Sequence, residues 1–309
     1  MKRLVAQICL LLFTALGMSA QKTVFENVKI RRHRSAEKRV LVDKYGTLTF
    51  DDSAHTLKFE SDAGDHIDVG YEGIEKVVFD VATHMRGGML AAFVQAVPLA
   101  GPVTGAAIAG AHVNDYWLYL DYKDHGQNES ALLVVPKNSS ESIIAKATSV
   151  FGSRLMLTDF PEKGVAVKME DLKALKSKQV LQVDKQKHPL PEVKPGQATV
   201  LVVCPPLAAR YAGTGNQFKL HANDQVVAVN RAGTYSFAYL DPGKYRLVSQ
   251  AEDANGFEME LEAGHEYFFL QNTFQGAFKS ETALSRNSRE VVMYLVEGSY
   301  LSDWKPKGK

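Results

Sequence analysis

The sequence predicts a mainly β protein with a minor helical part, built as two β-rich units joined by a linker. Two observations indicate this class. Apolar and polar residues alternate with a period of two between turn residues in both halves of the chain, and one amphipathic helical pattern follows the first set of strands. The 309 residues are 45% hydrophobic and 23% charged, which excludes disordered, collagen-like and disulfide-scaffold classes.

The first twenty residues have the pattern of a secretory signal peptide. A basic start, Met1-Lys2-Arg3, precedes an apolar run over residues 4–18 and a small-residue exit at Ser19-Ala20. The run is short for a membrane span of about 20 residues, which favours cleavage over an uncleaved N-terminal anchor. We therefore expect an exported protein, located in the periplasm or associated with the outer envelope.

Cleavage of the signal peptide changes the charge and the cysteine count. It removes Lys2, Arg3 and Cys9, so the formal net charge of +1 becomes −1 and Cys204 is the single remaining cysteine. One cysteine cannot form an intrachain disulfide, so stability must come from the hydrophobic cores. A charge so close to zero argues against a nucleic-acid partner.

The first unit, residues 22–160, is predicted to be an antiparallel meander closed by a helix. Apolar residues alternate with polar ones in three stretches separated by turns: Leu48 and Phe50; Leu57 and Phe59; Ile67, Val69 and Tyr71. Residues 77–79 and 131–135 are continuous apolar strands. A helix is then predicted from Asn138, as N-cap, to Gly152, with an apolar face that includes Ile143, Ala147 and Phe151.

Four features of this unit are similar to a known superfold. They are Gly46-Thr47-Leu48-Thr49-Phe50, Leu57-Lys58-Phe59, Ile74-Glu75-Lys76-Val77 and the closing helix. Together they resemble the pleckstrin-homology/GRAM superfold, an antiparallel barrel capped by a C-terminal helix. The resemblance implies a binding or scaffolding platform and no reaction.

Residues 87–114 form an apolar insertion without a charged residue. Pro98 and Pro102 would break a single helix, so we expect a helical hairpin over 89–97 and 103–111. Three arrangements stay open: packing against its own unit, contact with a membrane surface or partner, and a true membrane span. The candidate membrane or partner contacts are Met89, Leu90, Phe93, Val94, Val97, Leu99, Val103 and Ile108.

A basic run near the N-terminus is a candidate anion-binding site. Its members, with only Glu37 among them, are Lys29, Arg31, Arg32, Arg34, Lys38 and Arg39. Such a run can attract lipid headgroups or phosphates. The alternative is a solvated strand edge, where lysines discourage aggregation.

The remaining chain is predicted as a linker, 161–197, and a β-sandwich, 198–305. The linker is rich in lysine and ends in Pro189, Pro191 and Pro195, which indicates a tether with at most a short helix. The second unit has short strands with turns about every ten residues, at Ala222-Asn223-Asp224 and Asp241-Pro242-Gly243 among others. This spacing is typical of an immunoglobulin-like sandwich.

The second unit also resembles a bacterial envelope-associated family, the domain of unknown function 2846. The resemblance depends on four stretches: Leu201-Val202-Val203, Arg231-Ala232-Gly233-Thr234-Tyr235, Leu240-Asp241-Pro242-Gly243-Lys244-Tyr245 and Leu261-Glu262-Ala263-Gly264-His265-Glu266-Tyr267. It implies an exported binding or structural module and supplies no catalytic residue.

No motif in the sequence predicts an enzyme. Nucleophile-elbow, zinc-protease, phosphate-loop and Cys-x-x-Cys motifs are absent, and the nine histidines are scattered. We expect no cofactor and no metal, and a buried, inert Cys204. The leading hypothesis is a non-enzymatic, exported, envelope-associated binding or scaffolding protein. The alternatives are a membrane-surface lipid binder that uses the basic run and the insertion, and a thiol-dependent hydrolase that uses Cys204. The sequence leaves the ligand and the oligomeric state open.

Overall fold

The computed structural model confirms the mainly β class. It describes residues 22–33, 41–85, 112–162, 164–168, 172, 179–184, 188–205, 216–275 and 280–306. Within these ranges the chain forms nineteen strands, in three sheets, and two α-helices. The same ranges contain no helix that is both long enough and apolar enough to cross a bilayer.

The first unit is one eight-stranded sheet with the strand order β4-β3-β2-β1-β7-β6-β5-β8. Its strands are β1 (Lys22–His33), β2 (Leu41–Asp51), β3 (Thr56–Ser61), β4 (His66–Gly70), β5 (Ile74–Met85), β6 (His112–Asp124), β7 (Gln127–Val135) and β8 (Leu155–Asp159). All neighbours pair antiparallel except β8, which runs parallel to β5. The expected antiparallel strands are therefore present, and β8 is an edge strand that sequence reasoning missed.

A helix closes the apolar core of this sheet, as predicted. Helix α1 (Ser140–Phe151) buries Ile143, Ala147 and Phe151 and stops at Gly152, whose φ of +52° suits a residue without a side chain. The predicted start was wrong. Asn138 lies in a preceding 3-10 turn, and Ser139 occupies the N-cap position without a side-chain hydrogen bond.

The second unit has the layered architecture of a β-sandwich, with a six-stranded and a five-stranded sheet. The six-stranded sheet has the order β10-β19-β14-β11-β17-β18, and the five-stranded sheet has the order β13-β12-β15-β16-β9. The strands are β9 (Val165–Ala166), β10 (Gln179–Asp184), β11 (Ala198–Cys204), β12 (Phe218–Ala222), β13 (Gln225–Asn230), β14 (Thr234–Leu240), β15 (Gly243–Gln250), β16 (Ala254–Leu261), β17 (Glu266–Gln275), β18 (Ser280–Arg286) and β19 (Tyr300–Pro306). Alternate residues of both sheets, such as Val200, Leu220, Leu247 and Phe269, form its core.

A buried chain of polar side chains crosses this sandwich. Asn230 accepts a hydrogen bond from Ser236 (3.0 Å) and donates to Gln271 (3.3 Å), which in turn donates to Ser249 (2.7 Å). Ser249 and Thr282 share a further bond of 2.6 Å. The chain joins strands of both sheets, and its directional bonds fix their relative position more tightly than apolar contacts do.

The linker prediction was wrong for two stretches of 161–197. Val165 and Ala166 pair with β16, and β10 pairs with β19 along its whole length. Val167 and Leu172 pack on Val248 and Ala254. The apolar side chains of this lysine-rich segment therefore complete the edges and the outer face of the second unit, so these stretches cannot act as a free tether.

Both faces of strands β5–β7 are buried, because the second unit covers the face that the first core does not use. Ala82, Trp117 and Leu132 lie in one hydrophobic cluster with residues of the second unit. The residues of the second unit in this cluster are Leu201, Val203, Tyr235, Phe268, Leu270, Val291, Val292, Tyr294, Leu295 and Val296. The last five belong to helix α2 (Arg289–Glu297), which sequence reasoning missed.

A buried carboxylate joins the two units at the start of helix α2. Asp80 of β5 is 0% exposed and accepts four hydrogen bonds, which come from Thr158 Oγ1 (3.0 Å), Asn287 Nδ2 (3.3 Å), Ser288 N (2.7 Å) and Ser288 Oγ (2.8 Å). Burial raises the pKa of Asp80 above its ordinary value, although the hydrogen bonds from Ser288, Thr158 and Asn287 oppose that rise. We call Asp80, Thr158, Asn287 and Ser288 the interface latch.

Two more polar contacts connect the units around the latch: Tyr294 donates to the carbonyl of Arg31 (2.6 Å), and Lys76 pairs with Glu290 (3.1 Å). Arg286 pairs with Glu162 (2.7 Å) in the segment between the units. The interface is thus filled by apolar packing and by hydrogen-bonded groups.

The interface latch predicts a large stability loss for Asp80→Ala. The change leaves several buried hydrogen-bond donors without an acceptor, which lowers the free energy of unfolding by roughly 3–5 kcal/mol. Asp80→Asn keeps a side-chain acceptor for Ser288 and should cost less. Urea denaturation measures the free energy of unfolding of both Asp80 variants. Asp68→Ala is the matched control, because Asp68 is half exposed and pairs only with surface Lys58, and it should cost less than about 1 kcal/mol. Equal losses for Asp80→Ala and Asp68→Ala would contradict the role of the latch.

A second prediction concerns the buried His221 of β12. Burial lowers its pKa to about 4, and Gln250 Oε1 lies 2.8 Å from its Nε2. The unfolded chain therefore binds more protons than the folded one between about pH 6.5 and pH 4. The contribution of His221 to stability is complete above that window and is lost as the pH falls through it, by about 2–3 kcal/mol. His221→Gln should remove this part of the pH dependence, as urea unfolding at pH 7 and pH 4 would show. An unchanged dependence in His221→Gln would refute the assignment.

Candidate functional site

The predicted membrane or partner contacts lie outside the described residues. Met89, Leu90, Phe93, Val94, Val97, Leu99, Val103 and Ile108 all belong to residues 86–111, of which the structure describes none. The residues on either side of this segment are described. Met85 and His112 are register partners in β5 and β6, so the two ends of the intervening segment are adjacent. The predicted end of the insertion at residue 114 was wrong, since residues 112–114 belong to β6.

The structure describes two side chains of the predicted anion-binding run, Lys29 and Arg31. Arg31 is bound within the chain: its Nε and Nη2 donate to the two carboxylate oxygens of Asp43 (2.7 and 3.0 Å), and its guanidinium lies 4.6 Å from the centre of the Trp117 ring. Lys29 lies over the exposed ring of Tyr45, at 4.8 Å. Arg32 is described only as backbone of β1, and Arg34, Lys38 and Arg39 lie outside the described residues. Arg31 therefore has a structural role in the interface region.

Cys204 is buried, as expected. It is 0% exposed at the end of β11 and packs with Phe218 and Ala251. Burial raises the pKa of its thiol, which disfavours the thiolate that a nucleophile requires. No group of three or more potential metal ligands occurs in the described part of the chain.

A concave surface lies at one end of the sandwich, where β14 of the six-stranded sheet turns into β15 of the five-stranded sheet. This cleft has a volume of about 430 Å³. It is bounded by the β12–β13 turn, the β14–β15 turn and the end of the proline-rich segment at Gln197. Its lining residues are Gln197, Ala222, Asn223, Asp224, Gln225, Val227, Tyr239, Leu240, Asp241 and Tyr245. We call it the turn cleft.

Hydrogen bonds hold the walls of the turn cleft in place. Asn223 has a left-handed φ of +55°, and its Oδ1 and N bond to the backbone N and O of Arg246 (2.9 and 2.8 Å). Tyr245 donates to the carbonyl of Asp241 (2.9 Å), whose carboxylate accepts from Gln197 (3.3 Å). Three separate segments are therefore tied together before any ligand arrives.

A second, shallower cleft of about 460 Å³ adjoins the first through Asn223 and Tyr245. Its charged residues come from facing positions of β15 and β16: Lys244 opposite Glu260, and Arg246 opposite Glu258. These positive and negative side chains balance one another, which makes the rim of the turn cleft polar without a dominant charge.

The turns that form the turn cleft were recognised in the sequence, but their convergence was not. Ala222-Asn223-Asp224 and Asp241-Pro242-Gly243 both have the residue types of tight turns. They meet because β12 pairs with β15, which places Ala222 opposite Leu247. That pairing is a long-range contact that no local pattern specifies.

Comparison of the sequence with protein-family models finds no matching family, and comparison with curated proteins finds no matching relative. The function must therefore be inferred from the geometry of this chain.

The burial of Cys204 predicts a thiol that reacts only when the protein unfolds. In the chain without residues 1–20, labelling by a thiol reagent such as Ellman's reagent should be on the order of 100-fold slower in the native state than in urea. Rapid stoichiometric labelling of the native protein would show an accessible thiol and would support the thiol-dependent hydrolase hypothesis for Cys204.

Proposed function

We propose that this chain is a non-enzymatic, exported binding or scaffolding protein of the cell envelope, and that the turn cleft is its ligand contact. The observation that carries the proposal is the shared core between the two β units. Strands β5–β7 are buried on both faces, because the second unit packs against the first. The turn cleft therefore has a fixed orientation relative to the first unit.

The chemistry of the described surfaces favours binding over catalysis. The turn cleft is lined by amides, carboxylates and tyrosines, and the hydrogen bonds among them serve to position the turns. Cys204 lies in a dry core, which weighs against the thiol-dependent hydrolase. The interface between the units, where multidomain enzymes often have their active site, is filled with apolar side chains.

The two resemblances fit this proposal. The order β4-β3-β2-β1-β7-β6-β5, closed by helix α1, supports a pleckstrin-homology/GRAM-like barrel for the first unit. The paired sheets of the second unit support an immunoglobulin-like module similar to the domain of unknown function 2846. Both superfolds imply platforms that display a binding surface on one set of turns.

A second candidate function, membrane-surface lipid binding, has one observation in its favour. The uncharged residues 87–111 start and finish beside paired strand ends, at Met85 and His112. An apolar segment that returns to its starting point suits insertion into one leaflet better than a single crossing, which would leave its two ends on opposite sides of the bilayer. Under this alternative the partner is the membrane surface, and under the leading proposal it is another envelope component.

Cosedimentation with bacterial envelope fragments and flotation with anionic liposomes separate the two functions. Since Met85 and His112 are neighbours, a Gly-Gly turn can replace residues 86–111 without breaking the sheet. The leading proposal predicts that this deletion variant still cosediments with envelope fragments. It also predicts that the double variant Asp224→Ala/Gln225→Ala binds them at least about fivefold less.

The matched control is Asp303→Ala/Gln182→Ala, which removes the same two groups from exposed positions of the same unit. It should bind envelope fragments like the unmodified protein. Flotation that disappears with residues 86–111, together with unchanged binding by the Asp224→Ala/Gln225→Ala variant, would favour lipid binding and reject the leading proposal.

A further inference from the structure

The composition of the turn cleft narrows the class of ligand that it can hold. The cleft presents three amide side chains, Gln197, Asn223 and Gln225, from two different segments. Amides offer both donors and acceptors, so they match a ligand that carries both kinds of group. The cleft is thus built for many neutral hydrogen bonds.

Charge argues against an anionic ligand. Asp224 and Asp241 line the cleft and repel an anion such as a phosphate. The adjoining cleft adds no dominant charge, because its Lys244 and Arg246 lie opposite two glutamates of β16. The carboxylates remain strong acceptors for hydroxyl groups.

The cleft also contains aromatic surface. Tyr239 and Tyr245 are both half-buried and both line it. A tyrosine ring offers a flat apolar face at low entropic cost. A ligand that alternates apolar C–H patches with hydroxyl groups satisfies the rings, the amides and the carboxylates together.

We propose that the turn cleft binds a neutral, hydroxyl-rich ligand, namely a short stretch of oligosaccharide. Its volume of about 430 Å³ falls in the range of small-ligand sites, and the adjoining cleft of about 460 Å³ lets the ligand extend past Tyr245. The inference rests on the proposed function, because it names the ligand of the same site. In this arrangement Asp224, Gln225 and Asn223 pair with hydroxyl groups, and Tyr245 packs on the face of a sugar ring.

Saturation-transfer difference NMR and calorimetry test the ligand class on the chain without residues 1–20. The probes are three neutral oligosaccharides (maltotriose, cellotriose and tri-N-acetylchitotriose), inositol hexaphosphate as an anion and spermidine as a cation. We expect at least one neutral oligosaccharide to bind, and Asp224→Ala/Gln225→Ala to weaken it at least about tenfold. Tyr245→Leu should also weaken it, with unchanged far-UV circular dichroism as a check on folding. The control Asp303→Ala/Gln182→Ala should bind like the unmodified protein.

The outcomes distinguish the ligand class from the function. Absence of binding by all three oligosaccharides at millimolar concentration overturns the saccharide inference. Binding of inositol hexaphosphate or spermidine, weakened by Asp224→Ala/Gln225→Ala, also overturns it and leaves the turn cleft as the binding site. If that variant also cosediments with envelope fragments as strongly as the unmodified protein, the proposed function fails as well.

Discussion

The burial of strands β5–β7 on both faces is the constraint on which the rest of the structure depends. One face holds Val77, Phe79 and Leu118 in the first core, and the other holds Ala82, Trp117 and Leu132 against the second unit. Asp80 shares the second face of β5 with Ala82, and burying its carboxylate is tolerable only because four donors surround it. Two of the donor residues, Asn287 and Ser288, start helix α2. The same contact therefore satisfies a buried polar group and places the helix that covers the sheet.

This arrangement explains why the lysine-rich segment between the units does not act as a tether. A flexible linker serves units that move independently, whereas here residues 165–166 and 179–184 are strands of the second unit. The ion pair of Arg286 with Glu162 and the packing of Arg286 between the rings of Phe160 and Tyr267 hold the chain where it crosses between units. Relative motion of the two units would have to break these contacts and the shared core together, so the turn cleft keeps its orientation relative to the first unit.

Local sequence patterns predicted most strands and the closing helix of the first unit. They predicted little of the contact between the first unit and the second. The alternation around Leu48, Leu57 and Ile67 predicted strands because one face of each is buried in the unit itself. The continuous apolar runs at 77–79 and 131–135 predicted strands, but not what covers their second face, because that partner includes helix α2 at the far end of the chain. That helix was not predicted because the six consecutive apolar residues Val291–Val296 also fit a buried strand, and only tertiary packing decides between the two. The turn cleft was missed for a similar reason: its two turns are separated in sequence and meet through the pairing of β12 with β15.

Apolar packing and hydrogen bonds contribute differently to this structure. The three large apolar clusters supply most of the stabilisation, but apolar contacts tolerate small sliding movements between sheets. Hydrogen bonds do not tolerate such sliding, because each bond has a preferred length and angle. They occur in the interface latch and in the buried polar chain Ser236–Asn230–Gln271–Ser249–Thr282. The first fixes unit against unit, and the second fixes sheet against sheet within the sandwich. Since the turn cleft is formed by turns from both sheets, the polar chain keeps its walls in register, and the proposed ligand would meet a site that is already ordered.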